Sequence, residues 1–203
     1  MAISNVSNGF RPGVCTSTTR PTAPFEGQMI YETDTDMLAI YNGSAWRYVA
    51  ATTPTNGTVL QVASTTVTAA TSTTSTTYAD ISGLSVTITP KSSSSKVMVT
   101  ASLMLSGNGT DDTYYNLVRG STNIGQGTGA TNNQTLYLRL TDSLVPESAH
   151  LQFLDSPATT SSTTYKVQWK TRVGTLFINN RAYETSSFVA SGISTITVME
   201  IAA

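Results

Sequence analysis

The chain has 203 residues, of which 11% are charged, whereas about a quarter is typical of a globular domain. The formal net charge is −1 and the basic residues are scattered, which argues against a nucleic-acid-binding protein, since such proteins carry a basic stripe. No apolar run is long enough to cross a bilayer, so we expect no membrane insertion. Thr, Val, Ile and Tyr are abundant, and because these residues fit a pleated strand better than a helix, the composition predicts an all-β protein.

Residues 1–20 are rich in Asn, Ser, Gly, Pro and Thr and show no sustained hydrophobic period. We interpret them as an extended anchoring arm that becomes ordered by docking into another protein. They carry neither a basic start nor a continuous apolar stretch, so we expect no secretory signal and synthesis in a cytoplasm. Cys15 is the only cysteine, which excludes an intrachain disulfide.

Residues 21–50 are predicted to form a small β-hairpin module, with strands over 28–32 and 37–41. Asn42-Gly43 predicts a type I′ turn, because both central residues of that turn need a positive φ. Thirty residues bury too little surface to be stable alone, so the module needs a partner, and symmetry copies are the simplest choice. Five apolar residues are expected to form a small cluster: Met29, Tyr31, Leu38, Ile40 and Trp46.

Residues 51–57 are predicted to be a linker, and residues 58–203 a jelly-roll β-sandwich, here called the knob. Short apolar–polar alternations separated by polar turns, with no helical pattern, are typical of a sandwich. The run 165–173 has a basic outer face. The predicted strands are 58–68, 76–82, 84–88, 97–105, 114–119, 136–140, 148–154, 165–173, 175–179 and 194–201.

Several outward positions of these strands are also apolar, and we expect an oligomer to bury them, because obligate interfaces resemble a core cut in half. These positions are Met98, Met104, Leu154, Met199 and Ile201. If such an oligomer places the last predicted strand near its axis, Glu200 in that strand needs a partner such as Arg or Lys.

No catalytic or metal-binding pattern is present in the sequence. His150 is the only histidine, which is too few for a structural zinc site or a recognisable triad, and we interpret it as a surface residue of a strand. The glycines of 125–129 lack the Lys-Ser/Thr sequence and the helix of a phosphate loop. Asp111 and Asp112 with Asn108 lack the spacing of a calcium loop. We therefore expect no enzyme, no cofactor and no metal.

The loops 106–113, 121–133 and 155–163 are the expected variable surfaces, because functional residues tend to lie on loops held by a rigid scaffold. Tyr and Arg are enriched at binding hot spots. The candidate receptor-binding residues combine such side chains with polar loop residues: Asp111, Asp112, Tyr114, Tyr115, Arg119, Asn132 and Asn133.

The run Arg20–Trp46, with its two prolines, two turns and terminal tryptophan, resembles the hairpin module near the N-terminus of many bacteriophage tail and fibre proteins. Four further runs resemble the C-terminal knob of virion proteins from aquatic phages, including cyanophages. That knob is similar to the trimeric jelly rolls of the tumour-necrosis-factor and C1q type. The four runs are Thr76–Val99, Val118–Gly127, Asp155–Gln168 and Ser194–Ile201.

The resemblance implies a homotrimer on the external surface of a virion, synthesised in the cytoplasm of the bacterial host. It implies a short tail or head fibre, or spike, whose knob contacts a host-surface glycan or an outer-membrane protein. The alternatives are a capsid or tail decoration protein without a dedicated receptor, and a lectin-like binding module. The N-terminal arm would contact other virion proteins such as the tail, portal, adaptor or capsid. The expected attachment residues are Phe10, Arg11, Pro12, Arg20, Pro21, Tyr31 and Trp46.

Overall fold

The computed structural model describes residues 12–49, 54–109, 111–129, 133–142, 145–181 and 191–203. The described residues contain fifteen β-strands and no helix. The chain divides into two compact units, Met1–Thr53 and Pro54–Ala203. The prediction of an all-β fold is therefore confirmed. Of the candidate site residues, Phe10, Arg11 and Asn132 lie outside the described residues, as does the side chain of Asp111.

The first unit is a four-stranded sheet whose strands follow one another in chain order. The strands are β1 (Gly13–Cys15), β2 (Met29–Glu32), β3 (Met37–Tyr41) and β4 (Trp46–Tyr48). The predicted hairpin is present as β2 and β3. The prediction of a separate extended arm is wrong for β1, which pairs in parallel with β2. A three-residue strand has no measurable period, and each of its residues pairs with one 17 positions further along the chain, so local pattern did not reveal it.

The loop between β3 and β4 differs from the predicted type I′ turn. Gly43 has a φ of +89°, whereas Asn42 is not among the residues with a positive φ. The side-chain Oδ1 of Asn42 instead accepts hydrogen bonds from the backbone nitrogens of Ser44 (3.1 Å) and Ala45 (2.8 Å). The asparagine side chain thus closes the loop in place of a second left-handed residue.

The buried face of this sheet is the opposite of the predicted one. Ile30, Glu32 and Ala39 are buried, whereas four of the five predicted cluster residues, Met29, Tyr31, Leu38 and Ile40, lie on the other face and are only partly buried. Trp46 pairs with Tyr41 and so shares the face of Ala39. Arg20 approaches the buried face and forms an ion pair with Glu32. The hydrogen bond from Arg20 is the main reason why the pKa of the Glu32 carboxyl lies below its usual value. The partner of the buried Glu32 carboxylate comes from the segment before β2, and strand alternation does not reveal such a contact.

The second unit is a two-layer sandwich, as predicted. Its strands are β5 (Val59–Val67), β6 (Thr71–Thr73), β7 (Ala79–Ile88), β8 (Lys96–Gly107), β9 (Asp111–Arg119), β10 (Thr122–Ile124), β11 (Leu136–Leu140), β12 (Glu147–Asp155), β13 (Thr163–Thr171), β14 (Leu176–Ile178) and β15 (Ser194–Ile201). One sheet has the order β10-β9-β13-β7, with β11 also paired to β9. The other has the order β5-β15-β8-β14-β6, with β12 also paired to β8. The arrangement is consistent with a jelly roll.

The core between the sheets is formed by the predicted inward residues. Alternate residues of β8, from Val97 to Leu105, are buried, as are Tyr165, Val167 and Trp169 of β13. Val173, which the alternation placed in the same strand, lies beyond the end of β13 and is exposed. The strands β6 and β10 were not predicted, because three residues are too few to establish a period.

A buried carboxylate links the two sheets at one edge. Asp155, at the end of β12, accepts hydrogen bonds from Arg119 Nη1 at 2.9 and 2.8 Å and from the Tyr165 hydroxyl at 2.8 Å. Asp155 belongs to the six-stranded sheet, while both donors belong to the five-stranded sheet. Burial and the bond to Asp155 raise the pKa of the Tyr165 hydroxyl, so it remains a donor throughout the physiological range.

A second buried carboxylate, Glu200 of β15, is satisfied within the single chain without an Arg or Lys partner. Its carboxylate accepts hydrogen bonds from Gln61 Nε2 (2.6 Å) and from the backbone nitrogen of Lys91 (2.7 Å). Burial alone would raise the pKa of Glu200, but these hydrogen bonds outweigh it and the pKa lies below the usual value. An amide and a backbone N–H therefore replace a cation, and they hold the loop before β8 against β15.

We predict that Asp155→Ala destabilises the knob by about 3–5 kcal/mol, because it leaves the Arg119 guanidinium beside the core without its carboxylate. Asp155→Asn keeps an acceptor for Tyr165 and should cost less. The free energy of unfolding from urea denaturation, monitored by tryptophan fluorescence, measures both. Glu147→Ala, an exposed acidic position on the same strand, is the matched control and should stay within about 0.5 kcal/mol. Equal losses in Asp155→Ala and the control would contradict the structural role of the link.

Candidate functional site

The structure separates the candidate receptor-binding residues into several environments. Asp112 and Tyr114 lie on the outer face of the five-stranded sheet, on β9. Tyr115 is fully buried in the core, so its prediction as a contact residue is wrong. The prediction for Tyr115 rested on residue type alone. Tyr114 and Tyr115 are neighbours along β9, so their side chains point to opposite faces of the sheet. Burial also raises the pKa of the Tyr115 hydroxyl above its usual value.

Two further candidates have contacts of their own. The Arg119 guanidinium is engaged by Asp155, so we assign this side chain to the fold. Asn133 is exposed, and its backbone oxygen accepts a hydrogen bond from Gln126 Nε2 at 2.8 Å. This bond ties the 125–129 segment to the start of the next described stretch. Neither residue lies in the row of side chains that surrounds Tyr114.

That row runs across the outer face of the five-stranded sheet, from β11 through β9 and β13 to the residue that precedes β7. Tyr137 pairs directly with Tyr114, which pairs directly with Lys170. The next position across the sheet is Tyr78, which immediately precedes β7. The Lys170 ammonium lies over the Tyr78 ring, 4.6 Å from its centroid, and over the Tyr114 ring at 5.0 Å. The Tyr114 and Tyr137 rings are tilted against each other with centroids 5.4 Å apart. Lys170 is thus held between two aromatic rings by cation–π attraction.

The neighbouring row on the same face contains a carboxylate between two guanidinium groups. Asp112 pairs with Arg139 across the β9–β11 ladder, and Arg172 follows the end of β13. Arg172 Nε lies 2.5 Å from Asp112 Oδ2, and Arg139 Nε lies 3.9 Å from Oδ1. The Tyr137 hydroxyl donates to Asp112 at 2.8 Å. This hydrogen bond, followed by the contacts with Arg172, lowers the pKa of Asp112, so the residue is anionic at neutral pH.

These two rows form what we call the tyrosine–cation face. A cavity of about 220 Å³ opens on it beside Lys170, lined by Thr76, Tyr114, Lys170, Thr171 and Arg172. The basic outer face of 165–173 was visible in the sequence as Lys170 and Arg172. Tyr78, Tyr137 and Arg139 were missed because they come from other strands, and only the register of the sheet brings them beside Lys170. The face consists of Tyr78, Asp112, Tyr114, Tyr137, Arg139, Lys170 and Arg172.

The outer face of the six-stranded sheet has a different character. Four apolar side chains lie in direct register across β12, β8, β15 and β5, and we call them the apolar row: Leu154, Met98, Met199 and Val62. Val62 is 59% exposed and Leu154 is 47% exposed. The prediction that Met98, Leu154 and Met199 are outward apolar residues is confirmed. His150 lies on the same face as an exposed strand residue, as predicted.

The neighbouring row towards the middle of these strands is uncharged. It consists of Gln152, Thr100, Thr197 and Ser64, which pair across the same four strands, each two residues away from the member of the apolar row on its strand. Ser64 and Thr197 hydrogen-bond to each other at 2.8 Å. An uncharged polar row beside an apolar row can be removed from water without burying an unpaired charge.

The described attachment candidates all belong to the first unit. Pro12 and Pro21 lie before and after β1, while Arg20 is committed to the Glu32 ion pair and its Nη2 donates to the Tyr48 hydroxyl at 2.7 Å. The Tyr31 hydroxyl donates to Asp36 at 2.8 Å. Trp46 packs against Tyr41, with ring centroids 5.4 Å apart.

Tyr31 lies on the partly buried face with Met29, Leu38 and Ile40, as the register of β2 and β3 requires. This face therefore combines apolar side chains with partial exposure.

Within the described ranges, His, Cys, Asp and Glu side chains do not converge in groups of three that could hold a metal ion. Helices long and apolar enough to cross a membrane are likewise absent from those ranges.

No protein-family model matches the sequence, and no curated protein matches it significantly. Among solved structures, one of the infectious bursal disease virus Gx strain is 12% identical over 80% of this chain and 45% of that chain, with a TM-score of 0.37. The infectious bursal disease virus VP2 subviral particle is 11% identical over 91% of this chain and 46% of its own, with a TM-score of 0.31. This chain spans less than half the length of either. Similarity at TM-scores this low shows neither a family nor a function.

We predict that Tyr137→Phe raises the pKa of Asp112 towards the ordinary aspartate value of about 3.9, because it removes the hydrogen bond that contributes most to the lowering. Titration of the Asp112 carboxyl carbon by NMR measures the shift. Tyr41→Phe, in the first unit, removes a hydroxyl without touching Asp112 and should leave its pKa unchanged. An Asp112 pKa that is the same in Tyr137→Phe and wild type would contradict the described geometry.

Proposed function

We propose that this protein is a structural component of a bacteriophage virion, a short homotrimeric tail or head fibre, or spike. In this proposal the first unit attaches the protein to the particle and the knob contacts the host surface. The bacteriophage assignment is supported by the resemblance of Arg20–Trp46 to hairpin modules of phage fibre proteins. The oligomer is supported chiefly by the apolar row.

The apolar row supports an oligomer because its side chains are aligned and partly exposed. Exposed apolar residues scattered singly are normal on a monomer, whereas a contiguous apolar row with polar residues at its margin is typical of an interaction surface. Here the margin is an uncharged polar row on one side and Lys96 on the other. Two of its four members are methionines, a residue type enriched at interfaces. Soluble homo-oligomers are usually symmetric, so identical copies of one row can meet around an axis.

The first unit supports attachment in a similar way. Met29 pairs with Ile40 and Tyr31 with Leu38 across the β2–β3 ladder, which places four apolar or aromatic side chains on one face that remains partly exposed. A sheet of four short strands buries little surface by itself. A partner protein of the particle, or symmetry copies of the unit, would complete the burial.

A decoration protein that stabilises the particle without a receptor uses the same first unit and the same oligomer. It differs only in having no ligand on the knob. A free lectin-like module would use the knob alone and leave the apolar face of the first unit without a role. Host binding by the knob therefore distinguishes a fibre or spike from a decoration protein. Presence in virus particles distinguishes it from a free lectin-like module.

We predict that the purified chain has three times its 21.5 kDa monomer mass by light scattering. Val62→Lys with Leu154→Lys should weaken association at least tenfold, because two cations would have to be desolvated in the interface. Both positions are exposed in the single chain, so the fold should persist and circular dichroism should be unchanged. Thr87→Lys, exposed on the other sheet, is the matched control and should stay trimeric. A wild-type mass of one chain would overturn the trimer.

The virion assignment is tested by mass spectrometry of purified particles of the phage that encodes the chain. We expect the protein at a fixed copy number that survives high-salt washing, and its absence would contradict the proposal. The recombinant full chain, at saturating concentration, should also reduce adsorption of that phage to its host. Presence in particles without competition for adsorption would favour the decoration protein.

A further inference from the structure

The tyrosine–cation face concentrates positive charge on a chain that is weakly anionic overall. Three cationic side chains, Arg139, Lys170 and Arg172, share the face with one carboxylate, Asp112. The formal net charge of the whole chain is −1. The face therefore has a local charge opposite to that of the molecule as a whole, which favours an anionic ligand at this place.

The two guanidinium groups have donors to spare. The contacts with Asp112 use the Nε atom of each arginine, and the side chains are 57% exposed for Arg139 and 60% exposed for Arg172. A guanidinium has five N–H donors in a planar fork that matches a carboxylate. Asp112 thus holds the two forks at neighbouring positions, and more than half of each arginine side chain is exposed to a ligand.

The tyrosines provide the second half of the recognition surface. Tyr137 is 45% exposed, and its ring lies beside that of Tyr114. A tyrosine offers a flat apolar ring together with a polar hydroxyl, so it suits a ligand that is apolar on one face and rich in hydroxyls at its edge. A pyranose ring has this character, since its C–H groups form an apolar patch and its hydroxyls lie around the rim.

The cavity beside Lys170 limits what the face can enclose. Its volume of about 220 Å³ lies below the roughly 300–1,000 Å³ of pockets that bury whole drug-sized ligands. Lys170, held between two tyrosine rings, lines the cavity together with Arg172. The cavity therefore suits a single charged substituent or one ring, while the rest of a longer ligand lies across the open face.

We propose that the tyrosine–cation face binds a saccharide that carries a carboxylate, as in polysaccharides built from uronic or sialic acids. The carboxylate lies between Lys170 and Arg172, and the sugar ring stacks on Tyr114 or Tyr137. This inference rests on the proposed host contact and names its ligand class and its site. The face lies on the opposite side of the sandwich from the apolar row, so an oligomer formed through that row leaves it open.

The test measures binding of the purified full chain by isothermal titration calorimetry to oligogalacturonate, hyaluronate oligosaccharide and oligosialate. Two matched probes accompany them. Methyl-esterified oligogalacturonate keeps the sugar and removes the charge, and oligoglutamate keeps the carboxylates and removes the sugar. We expect at least one acidic saccharide to bind at least tenfold more tightly than both matched probes, and binding should weaken with added salt.

The variants localise the site. Arg139→Gln with Arg172→Gln should weaken binding at least tenfold, and so should Tyr114→Ala. Arg47→Gln removes one positive charge, against two in the double variant, from an exposed position in the first unit and should leave the affinity unchanged. Light scattering on each variant should give the wild-type mass, which separates a failure of this site from a failure of the proposed assembly.

Three results would overturn the inference. The first is that none of the three acidic saccharides binds. The second is that oligoglutamate binds as tightly as the best saccharide, which would assign the face to an acidic peptide. The third is that Arg47→Gln weakens binding as much as the arginine double variant, since the effect would then come from overall charge.

Discussion

The two-residue period of β8, β9 and β13 governs the rest of the knob, because it directs alternate side chains into the core and their neighbours to the outside. On β9, Tyr115 and Leu117 fill the core, while Asp112 and Tyr114 lie on the outer face, where the contacts of Asp112 leave it little exposed. A slip of one residue would exchange these sets and lose both the core and the outer faces. The buried apolar residues therefore hold the register that also positions the functional candidates.

Buried carboxylates stabilise contacts that the alternation of apolar and polar residues along the strands does not specify. Asp155 joins the two sheets of the knob, Glu200 holds the loop before β8, and Glu32 fixes the segment around Arg20 in the first unit. Each is satisfied by a different set of donors: a guanidinium with a phenol, an amide with backbone N–H, and a guanidinium with hydroxyls. Because an unpaired buried charge is costly, each group specifies one arrangement of its surroundings.

The two outer faces of the knob differ in chemistry in a way that suits separate roles. The apolar row has an uncharged polar row on one side and Lys96 of β8 on the other, and it can be buried against another copy. The tyrosine–cation face instead keeps two guanidinium groups more than half exposed. Placing them on opposite sheets means that association through one does not occupy the other. In a trimer, three copies of a weak ligand site would act together, and their combined affinity would exceed that of one site through effective concentration.

The sequence by itself determined the fold class, most strand positions and the outward apolar residues, because these depend on local alternation and composition. It also indicated the basic strand that contributes Lys170 and Arg172. Only the tertiary structure decided which face of the first unit is buried, that Tyr115 belongs to the core, and that Arg119 serves Asp155. The partners of Lys170 and Glu200 likewise come from strands and loops distant in sequence. Cross-strand register and buried polar pairing are long-range interactions, and no local pattern encodes them.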